Sequence, residues 1–519
     1  MQQLYSRRLL LRRAALLAAS GLTVAACGDG RPGRIKGANP FTLGVASGDP
    51  VPDGAVIWTR LLPFPQEPAR TGASPIEIGW HVASDEGFTQ MVQSGTVMAH
   101  PDEAFATRME VRGLEPGRPY WYRFVTANEE SPVGRFITAP PLGADLARLR
   151  MVLASCAHYE QGYFASYRHI AALNPDVVLH TGDYIYESSW GDPVRRHDGP
   201  EPESLDEYRS RYALYRSDAD LQAAHANAAW LFTWDDHEVD NDYAAAQSEE
   251  GVDPERFVQR RAAAYRACFE HMPLRRSQML RGLEMRLFQR NVFGNLVDLN
   301  ILDNRQYRSD QACAVPGRLG GQPVAPDCPE LLDPARSMLG EAQERQYLRN
   351  LRYSRGLWNV MANGVMFSRF FQTNREGAPV VWTDAWDGYM PARQRILSRV
   401  AELGLPNFIT LAGDMHSSWV NELKADFDNP ESSTLGTEFV CTSISSAGPD
   451  HELFSRFVAG NPHMKHFDAR QRGFTMLTFT REQLLAEMMV LDDVRKRDAS
   501  LSVLAAFAVQ AGTPGATQI

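Results

Sequence analysis

The chain lacks the features of a nucleic-acid-binding protein and those of a disordered one. Outside its first residues it contains no run of Lys or Arg longer than three, and its formal net charge is −10. A nucleic-acid-binding surface usually needs a basic patch, so we expect no stable nucleic-acid partner. Hydrophobic residues make up 44% of the chain and charged residues 22%, a composition that excludes disorder over long stretches. At 519 residues the chain is long enough for more than one domain.

The N-terminal apolar segment is too short to cross a bilayer. It covers residues 14–26, whereas a membrane-spanning helix needs about 20 apolar residues. It follows the Arg7-Arg8 pair, and together they predict a twin-arginine export signal over residues 1–27 rather than a basic amphipathic helix. Residues 24–27 (Val-Ala-Ala-Cys) resemble a bacterial lipobox. Either Cys27 is lipidated and anchors the protein to a membrane, or cleavage near Ala26 releases a soluble periplasmic or extracellular protein.

Cysteine is scarce, with six residues in the whole chain. Cys313 and Cys328 lie at the two ends of a loop rich in Pro and Gly, which favours a disulfide in an oxidising compartment. Closing a loop of that size contributes roughly 3 kcal/mol when the chain-entropy argument is applied. Cys268 lies in a helical pattern and Cys441 in an apolar strand, so we expect both to be small core residues.

Residues 41–140 have the pattern of an all-β domain. Short alternating apolar runs are separated by turn residues at the spacing of a β-sandwich. Within them, residues 114–122 (Leu-Glu-Pro-Gly-Arg-Pro-Tyr-Trp-Tyr) resemble the turn into a fibronectin-type strand. A linker rich in Gly, Pro and Arg, residues 28–40, precedes this domain, and Pro140-Pro141 marks its end.

From residue 148 to residue 519 the pattern becomes α/β. An apolar strand at 151–154, a helical segment at 162–173 and a second apolar strand at 177–180 predict a parallel, right-handed βαβ unit. The C-terminal part predicts an antiparallel hairpin and then one more strand, at 474–480, 485–491 and 504–510. The expected fold class is therefore α/β, preceded by the β domain.

Two neighbouring strands of the βαβ unit end in residues that can bind metal ions. Cys156 follows the first strand, and Gly182-Asp183-x-x-Tyr186 follows the second. A thiolate is a soft, strongly donating ligand, a carboxylate can bridge two ions, and a phenolate is a ligand for ferric iron. The carboxyl ends of parallel strands meet at one edge of a sheet, so we expect a metal cluster there. Taken singly, each residue has a structural alternative: a buried free cysteine, a turn aspartate and a core tyrosine.

Two further strand ends carry dense polar runs. Residues 234–243 contain Asp236, His237 and Asn241, and the carboxylates of this run repel one another unless cations or solvent neutralise them. A solvated acidic loop is the alternative, although the run follows a strand that should be buried. In Gly413-Asp414-x-His416 the Asp and His are two residues apart, so in extended backbone both side chains point the same way and can reach two adjacent ions.

Arg305 follows another apolar strand and can hold a phosphate group with two parallel hydrogen bonds. The alternative is a salt bridge at the rim of the site. Three carboxylates have the same placement at a strand end and are weaker candidates: Asp303, Asp384 and Asp387.

Together these motifs resemble those of the PhoD-like alkaline phosphatase family. In chain order they are Ser155-Cys156, Gly182-Asp183-x-x-Tyr186, Trp234-Asp235-Asp236-His237-Glu238, Leu302 to Arg308, Trp386 to Tyr389 and Gly413-Asp414-x-His416. Residues 41–50 and 58–61 resemble the opening domain of that family, and the resemblance extends to the last strands. It implies a metallophosphoesterase-type β-sandwich flanked by helices, distantly related to purple acid phosphatases and other calcineurin-like phosphoesterases, behind the fibronectin-like β domain.

The resemblance also implies cofactors and residue roles. Members hydrolyse phosphomonoesters or phosphodiesters with one Fe³⁺ and two Ca²⁺ ions. The implied iron ligands are Cys156, Asp183, Tyr186 and His416. The implied calcium ligands are Asp183, which would bridge to the iron, Asp236 and Asp414. His237 stands where relatives have a catalytic histidine that contacts the phosphate or protonates the leaving group, and Arg305 would help to position the phosphate. The family pattern assigns no role to His158, close to Cys156.

The sequence thus predicts an exported, monomeric hydrolase of small-molecule phosphate esters that serves phosphate acquisition. Within the enzyme class, the alternative is a phospholipase D-like phosphodiesterase. Outside it, the alternative is a surface-anchored binding protein that has lost catalysis, against which the intact candidate ligands argue. The one membrane contact expected is a lipid anchor at Cys27.

Overall fold

The computed structural model describes residues 39–63, 73–315 and 319–519. The predicted export signal, Cys27 with its lipobox and nearly all of the 28–40 linker lie outside the described residues. The described residues form 24 strands and seven α-helices. The helices are Ala165–Leu173 (α1), Leu205–Arg216 (α2), Ala219–Asn227 (α3), Pro254–His271 (α4), Gly340–Arg352 (α5), Met390–Leu403 (α6) and His451–Val458 (α7).

Two large mixed sheets form the centre of the molecule. The first contains, in spatial order, Thr517–Gln518 (β24), Leu501–Gln510 (β23), Gln483–Leu491 (β22), Gly473–Thr480 (β21), Arg148–Ala154 (β8), Val177–His180 (β9), Ala229–Phe232 (β10), Val45–Val51 (β1), Gly54–Arg60 (β2) and Ala106–Val111 (β5). The second contains Gln289–Phe293 (β11), Val297–Ile301 (β12), Trp358–Ala362 (β14), Phe408–Ala412 (β17), Thr434–Val440 (β19), Ser418–Lys424 (β18) and Met464–Asp468 (β20).

Two small sheets complete the strand inventory of the described residues. One contains Met91–Ala99 (β4), Ile76–Ala83 (β3), Pro119–Val125 (β6) and Gly134–Ile137 (β7). The other contains Pro323–Val324 (β13), Pro379–Trp382 (β16) and Gln372–Thr373 (β15).

The two large sheets pack face to face through one apolar core. Leu153 and Leu179 from the first sheet and Ile301 and Leu411 from the second are fully buried in the same cluster. Helices α1 to α4 pack on the outer face of the first sheet, and α5 and α6 pack on the outer face of the second. The layers run helix, sheet, sheet, helix, so the fold class is α/β, as predicted.

The N-terminal strands are divided between two sheets. Strands β3, β4, β6 and β7 form the antiparallel four-stranded sheet. Strands β1, β2 and β5 instead extend the first large sheet, where Ser47 and Gly48 of β1 pair in parallel with Ala229 and Trp230 of β10. The region is rich in sheet, as expected, and three of its strands are shared with the region that follows.

The strand pairings place several chain segments at one edge of the molecule. β8 and β9 pair in parallel with α1 between them, which confirms the predicted βαβ unit. β10 continues this parallel set in the first sheet, while β12, β14, β17 and β19 are parallel in the second. The predicted hairpin of β21 and β22 and the strand β23 are also present. Parallel strands bring their carboxyl ends together, and those ends carry the candidate ligands.

The disulfide and the two core cysteines that the sequence predicts are present. Cys313 and Cys328 form a disulfide. Cys268, inside α4, and Cys441, directly after β19, are free and packed in apolar clusters. Among the described helices, none combines the length and the apolarity needed to span a membrane.

Candidate active site

The candidate metal ligands lie in tight loops directly after strands of the two large sheets. Cys156 follows β8, Asp183 follows β9, and Asp414 and His416 follow β17. Their φ angles are 59°, 55°, 64° and 49° respectively. Such left-handed backbone is uncommon for residues other than Gly, and it clusters at functional sites. Four candidate ligands in this conformation indicate that the functional site lies at this edge of the sheets.

Cys156, Asp183 and His416 form the first group of candidate ligands. Each offers one ligand atom, and these atoms lie within 4.8 Å of one another. The Tyr186 hydroxyl joins them, because it donates to Oδ2 of Asp183 at 2.8 Å and lies 3.0 Å from Nε2 of His416. Burial, followed by the charge of Asp183, raises the pKa of the Cys156 thiol and of the Tyr186 hydroxyl well above their ordinary values. Both groups therefore need a strong cation nearby to ionise.

Two more groups of candidate ligands share residues with the first. Asp183, Asp236 and His237 form one, and Asp235, Asp236 and Asp414 form the other, with ligand atoms at the same close spacing. Oδ1 of Asp183 and Oδ2 of Asp235 are buried and accept no hydrogen bond from any described residue. Burial, and then the charges of Asp235 and Asp236, raise the pKa of Asp414. Buried carboxylate oxygens without donors are costly. A hard cation between them would bind these oxygens and would also offset the repulsion that raises the pKa of Asp414.

Arg305 lies among these carboxylates and is fully buried. Its Nη1 donates to Oδ2 of Asp384 at 2.7 Å, its Nε donates to Asp235, and its Nη2 lies 3.4 Å from Oδ1 of Asp236. Burial lowers the pKa of Arg305, but the three carboxylates outweigh it and raise the pKa well above its ordinary value. This placement differs from the predicted phosphate contact, because three carboxylates surround the guanidinium and no solvent reaches it.

Four weaker candidates from the sequence occupy different places. Asp384 forms an ion pair with Arg305 and so supports the neighbouring candidate ligands from beneath. Asp303 accepts the backbone N–H of Arg305 at 3.0 Å, so it shapes the loop after β12. Asp387 forms an ion pair with an α6 arginine at 2.6 Å. Asn241 is the one of the four that lines the cavity described below.

His237 is held by a carboxylate that the sequence analysis missed. Nδ1 of His237 lies 2.8 Å from Oε2 of the buried Glu187. Since Nδ1 faces Glu187, Nε2 is the ring nitrogen available to a ligand. Burial lowers the pKa of His237, but the charges of Glu187 and of two aspartates raise it well above its ordinary value. The ring packs against Tyr186 and Trp190, with centroids 4.2 and 5.3 Å away. The one feature of the sequence that could have indicated Glu187 is its position directly after Tyr186, a candidate ligand.

Glu238 is a second residue to which the sequence assigned no role of its own. Its carboxylate accepts the backbone N–H groups of Tyr184 at 2.6 Å, of Asp235 at 2.9 Å and of Asp183 at 3.1 Å. One buried side chain thus ties the loop after β9 to the loop after β10. It stands directly after His237 in the acidic run, but a run of charges does not show which member points inward.

His158 packs behind the first group of ligands. Its ring centroid lies 4.5 Å from that of Tyr186 and 4.4 Å from that of Trp190. Burial and then the neighbouring histidines lower the pKa of His158 to about 2, so the ring is neutral. Its Nδ1 accepts the backbone N–H of Glu160 at 3.1 Å. These contacts give His158 a packing role in the wall of the site.

Four of the candidate ligands, Asp183, Asp236, Asp414 and His416, open into one cavity, which we call the ligand cavity; Cys156 and Tyr186 are buried behind them. Its volume is about 350 Å³, within the range of small-molecule sites. Its walls include Asp183, Asp236, His237, Asn241, Trp382, Asp414 and His416. The predicted site residues that reach this cavity are therefore drawn from both large sheets.

Three comparisons with known proteins agree with one another. The PhoD-like phosphatase family profile matches residues 151–488, and the profile of the PhoD-like phosphatase N-terminal domain matches residues 28–140. Alkaline phosphatase D of Bacillus subtilis (strain 168) is 41% identical over 491 residues, which cover 92% of this chain and 82% of that protein. A solved structure described as the structure of PhoD is 40% identical, covers 94% of this chain and 93% of its own, and superposes with a TM-score of 0.89.

Proposed function

The chain belongs to the PhoD-like phosphatase family and hydrolyses phosphate esters, and we propose that it does so with metal ions bound in the ligand cavity. The observation that carries this proposal is the set of three overlapping groups of ligand atoms, each within 4.8 Å, that share Asp183 and Asp236. A binding protein without catalysis is set aside, because the family is one of phosphatases and the predicted ligands lie together.

We assign one Fe³⁺ ion and two Ca²⁺ ions to this cavity. The chemistry of the donors supports the division. Thiolate, phenolate and imidazole donors suit iron, and they are supplied by Cys156, Tyr186 and His416 together with Asp183. A donor set made of carboxylates suits calcium, and Asp183, Asp236 and Asp414 supply it. When bound, these ions provide positive charge that polarises the phosphate ester.

The protein's own residues hold the site in shape and move a proton. His237 presents Nε2 to the ligand cavity, and the contact of Nδ1 with Glu187 fixes the orientation of its ring. In this arrangement protonated His237 donates from Nε2 to the oxygen of the departing alcohol. Arg305 and Glu238 act as positioning residues, because both bind groups beneath the cavity.

We propose that the two large sheets are a metallophosphoesterase-type sandwich and that the four-stranded sheet is a fibronectin-like element. Face-to-face packing of two mixed sheets, with ligands at the carboxyl ends of their strands, supports the first assignment. A tyrosine corner supports the second, since the hydroxyl of Tyr120 accepts the backbone N–H of Glu115 at 3.0 Å.

We further propose that the protein is exported by the twin-arginine route and serves phosphate acquisition as a monomer acting on small-molecule esters. The Arg7-Arg8 pair and the apolar segment after it support export. The disulfide between Cys313 and Cys328 supports an oxidising compartment. The exported chain is either lipidated at Cys27 or cleaved near Ala26 without a lipid. Mass spectrometry of its N-terminus distinguishes the two products.

Elemental analysis of the purified protein, paired with two assays, tests the proposed chemistry. We expect iron and calcium to co-purify, and activity on a monoester and a diester nitrophenyl phosphate to disappear when both are removed. Full activity in protein free of both metals would overturn the proposal. A marked preference for the diester would favour the phospholipase D-like alternative over the phosphomonoesterase.

A further inference from the structure

A second cavity adjoins the ligand cavity, and we call it the acidic cleft. Its volume is about 280 Å³, and its acidic wall contains Glu201, Asp240, Glu249 and Glu250. Trp190 and His237 line both cavities, as do Asn241 and Glu249. A molecule whose phosphate lies in the ligand cavity can therefore extend into the acidic cleft past His237.

The charge of the acidic cleft is strongly negative. Arg260 pairs with two of these four carboxylates, with Glu201 at 2.7 Å and with Asp240 at 3.1 Å. Glu249 accepts a hydrogen bond from the amide of Asn241, which brings no charge. Glu250 is exposed and forms no ion pair with any described residue. Glu187 also lines the cleft, but protonated His237 balances its charge at 2.8 Å. Two cations, Arg260 and His237, thus face five carboxylates, an imbalance that favours a bound cation.

Two independent details indicate that the acidic cleft can bind a ligand. Asp240 is 5% exposed, and its Oδ2 accepts no hydrogen bond within the described part of the chain. A buried carboxylate oxygen without a donor calls for a partner. Trp190 is 39% exposed where the two cavities join, and indole faces bind organic cations, quaternary ammonium groups in particular.

We propose that the acidic cleft binds the alcohol portion of the substrate and selects phosphate esters whose alcohol carries an ammonium or quaternary ammonium group. The proposal rests on the proposed function, because it places the phosphate in the ligand cavity. Hydrolysis consumes one water: the water oxygen bonds to phosphorus and the P–O bond to the alcohol breaks. The alcohol oxygen takes a proton from His237, and a proton released by the water restores His237. The ammonium group is unchanged by the reaction and serves only for recognition.

The test compares two esters that differ in charge and hardly at all in shape. Choline phosphate and 3,3-dimethylbutyl phosphate are isosteric, with a quaternary nitrogen in the first and a carbon in the second. We expect metal-loaded wild-type protein at low ionic strength to favour choline phosphate by about tenfold or more in kcat/KM, as one desolvated cation–π contact would give. A ratio near one, with both esters hydrolysed, overturns the proposal. Failure to hydrolyse either ester overturns this inference, and if the monoester and diester nitrophenyl phosphates also stay intact, it overturns the proposed function as well.

Matched variants locate the selectivity. Glu250→Gln removes a charge from the acidic cleft at an exposed position, and we expect it to lower the ratio several-fold; Asp240→Asn provides a second variant. Glu255→Gln removes the same charge from an exposed site on α4 outside the cleft and should leave the ratio unchanged. A wild-type ratio in both cleft variants overturns the proposal. The salt dependence provides a second check. If calcium chloride abolishes the preference for choline phosphate and sodium chloride of equal ionic strength does not, the cleft binds an inorganic cation, and the proposal is overturned.

Discussion

Replacing Glu238 by Gln is expected to loosen the loops that carry the candidate ligands. Oε1 of Glu238 accepts the N–H of Tyr184, and Oε2 accepts those of Asp183 and Asp235. A Gln amide has one carbonyl oxygen, and its NH₂ group cannot accept a hydrogen bond. With that oxygen in the position of Oε2 two of the bonds remain, and the N–H of Tyr184 is left facing another donor.

The cost follows from the number of N–H groups left unpaired. One buried, unpaired N–H costs about 1–3 kcal/mol, so Glu238→Gln should lower the free energy of unfolding by about that amount. Glu238→Ala leaves all three unpaired, and the same count gives about 3–9 kcal/mol. That range overlaps the whole stability of a typical protein, about 5–15 kcal/mol, so the Ala variant should yield little folded protein.

Urea denaturation and elemental analysis of the same preparations measure the two consequences, stability and metal retention. Glu255→Gln is the matched control, because it makes the same chemical change at an exposed position of α4. Surface changes of this kind usually stay within about 0.5 kcal/mol. If Glu238→Gln equals the control in both the denaturation midpoint and the metal content, the three hydrogen bonds do not hold the site and the reasoning is refuted.

Four further predictions concern the metals and the proton donor. Tyr186→Phe should shift or bleach the visible absorption of the iron-loaded protein, since phenolate-to-iron charge transfer needs the hydroxyl; a colourless, iron-free, active enzyme would contradict the iron assignment. EGTA should abolish activity, and calcium more than magnesium should restore it; full activity in the chelator removes calcium from the proposal. Asp183→Asn should cost more activity than Asp414→Asn, because two ligand groups share Asp183; equal losses would argue against a bridging role. His237→Ala should keep its metals and lose roughly 10²–10⁴-fold in turnover on an alkyl phosphate, but less on a nitrophenyl ester; equal losses would assign leaving-group protonation elsewhere.

The ligand positions were predictable because a short apolar run followed by Cys or Asp marks the carboxyl end of a buried strand. Cys156, Asp183 and Asp414 all satisfy that pattern, and the parallel pairing of β8 with β9 brings the first two together. Arg305 also follows an apolar strand, yet its side chain lies beneath the site among carboxylates. A position at a strand end fixes where a residue is, and neighbours distant in sequence decide which way its side chain points.

The supporting residues could not be predicted for a related reason. Glu187 and Glu238 act through loops whose backbone is left-handed at Asp183, and no local pattern signals such a turn at a non-Gly residue. The sequence likewise indicated strands over residues 41–140 but not their partners. The pairing of β1 with β10 joins Ser47 to Ala229, and no periodicity within either segment encodes that contact.

Because β1 lies between β10 and β2, the N-terminal strands cannot join the first large sheet until the chain has been synthesised beyond residue 232. Contacts between segments so distant in sequence form slowly, since a long loop must close before they bring any gain. A fragment beginning at residue 148 would leave one side of β10 unpaired, and open strand edges invite pairing with other chains. A route that exports folded proteins, which we propose for this chain, would give it time to insert its first strands before translocation.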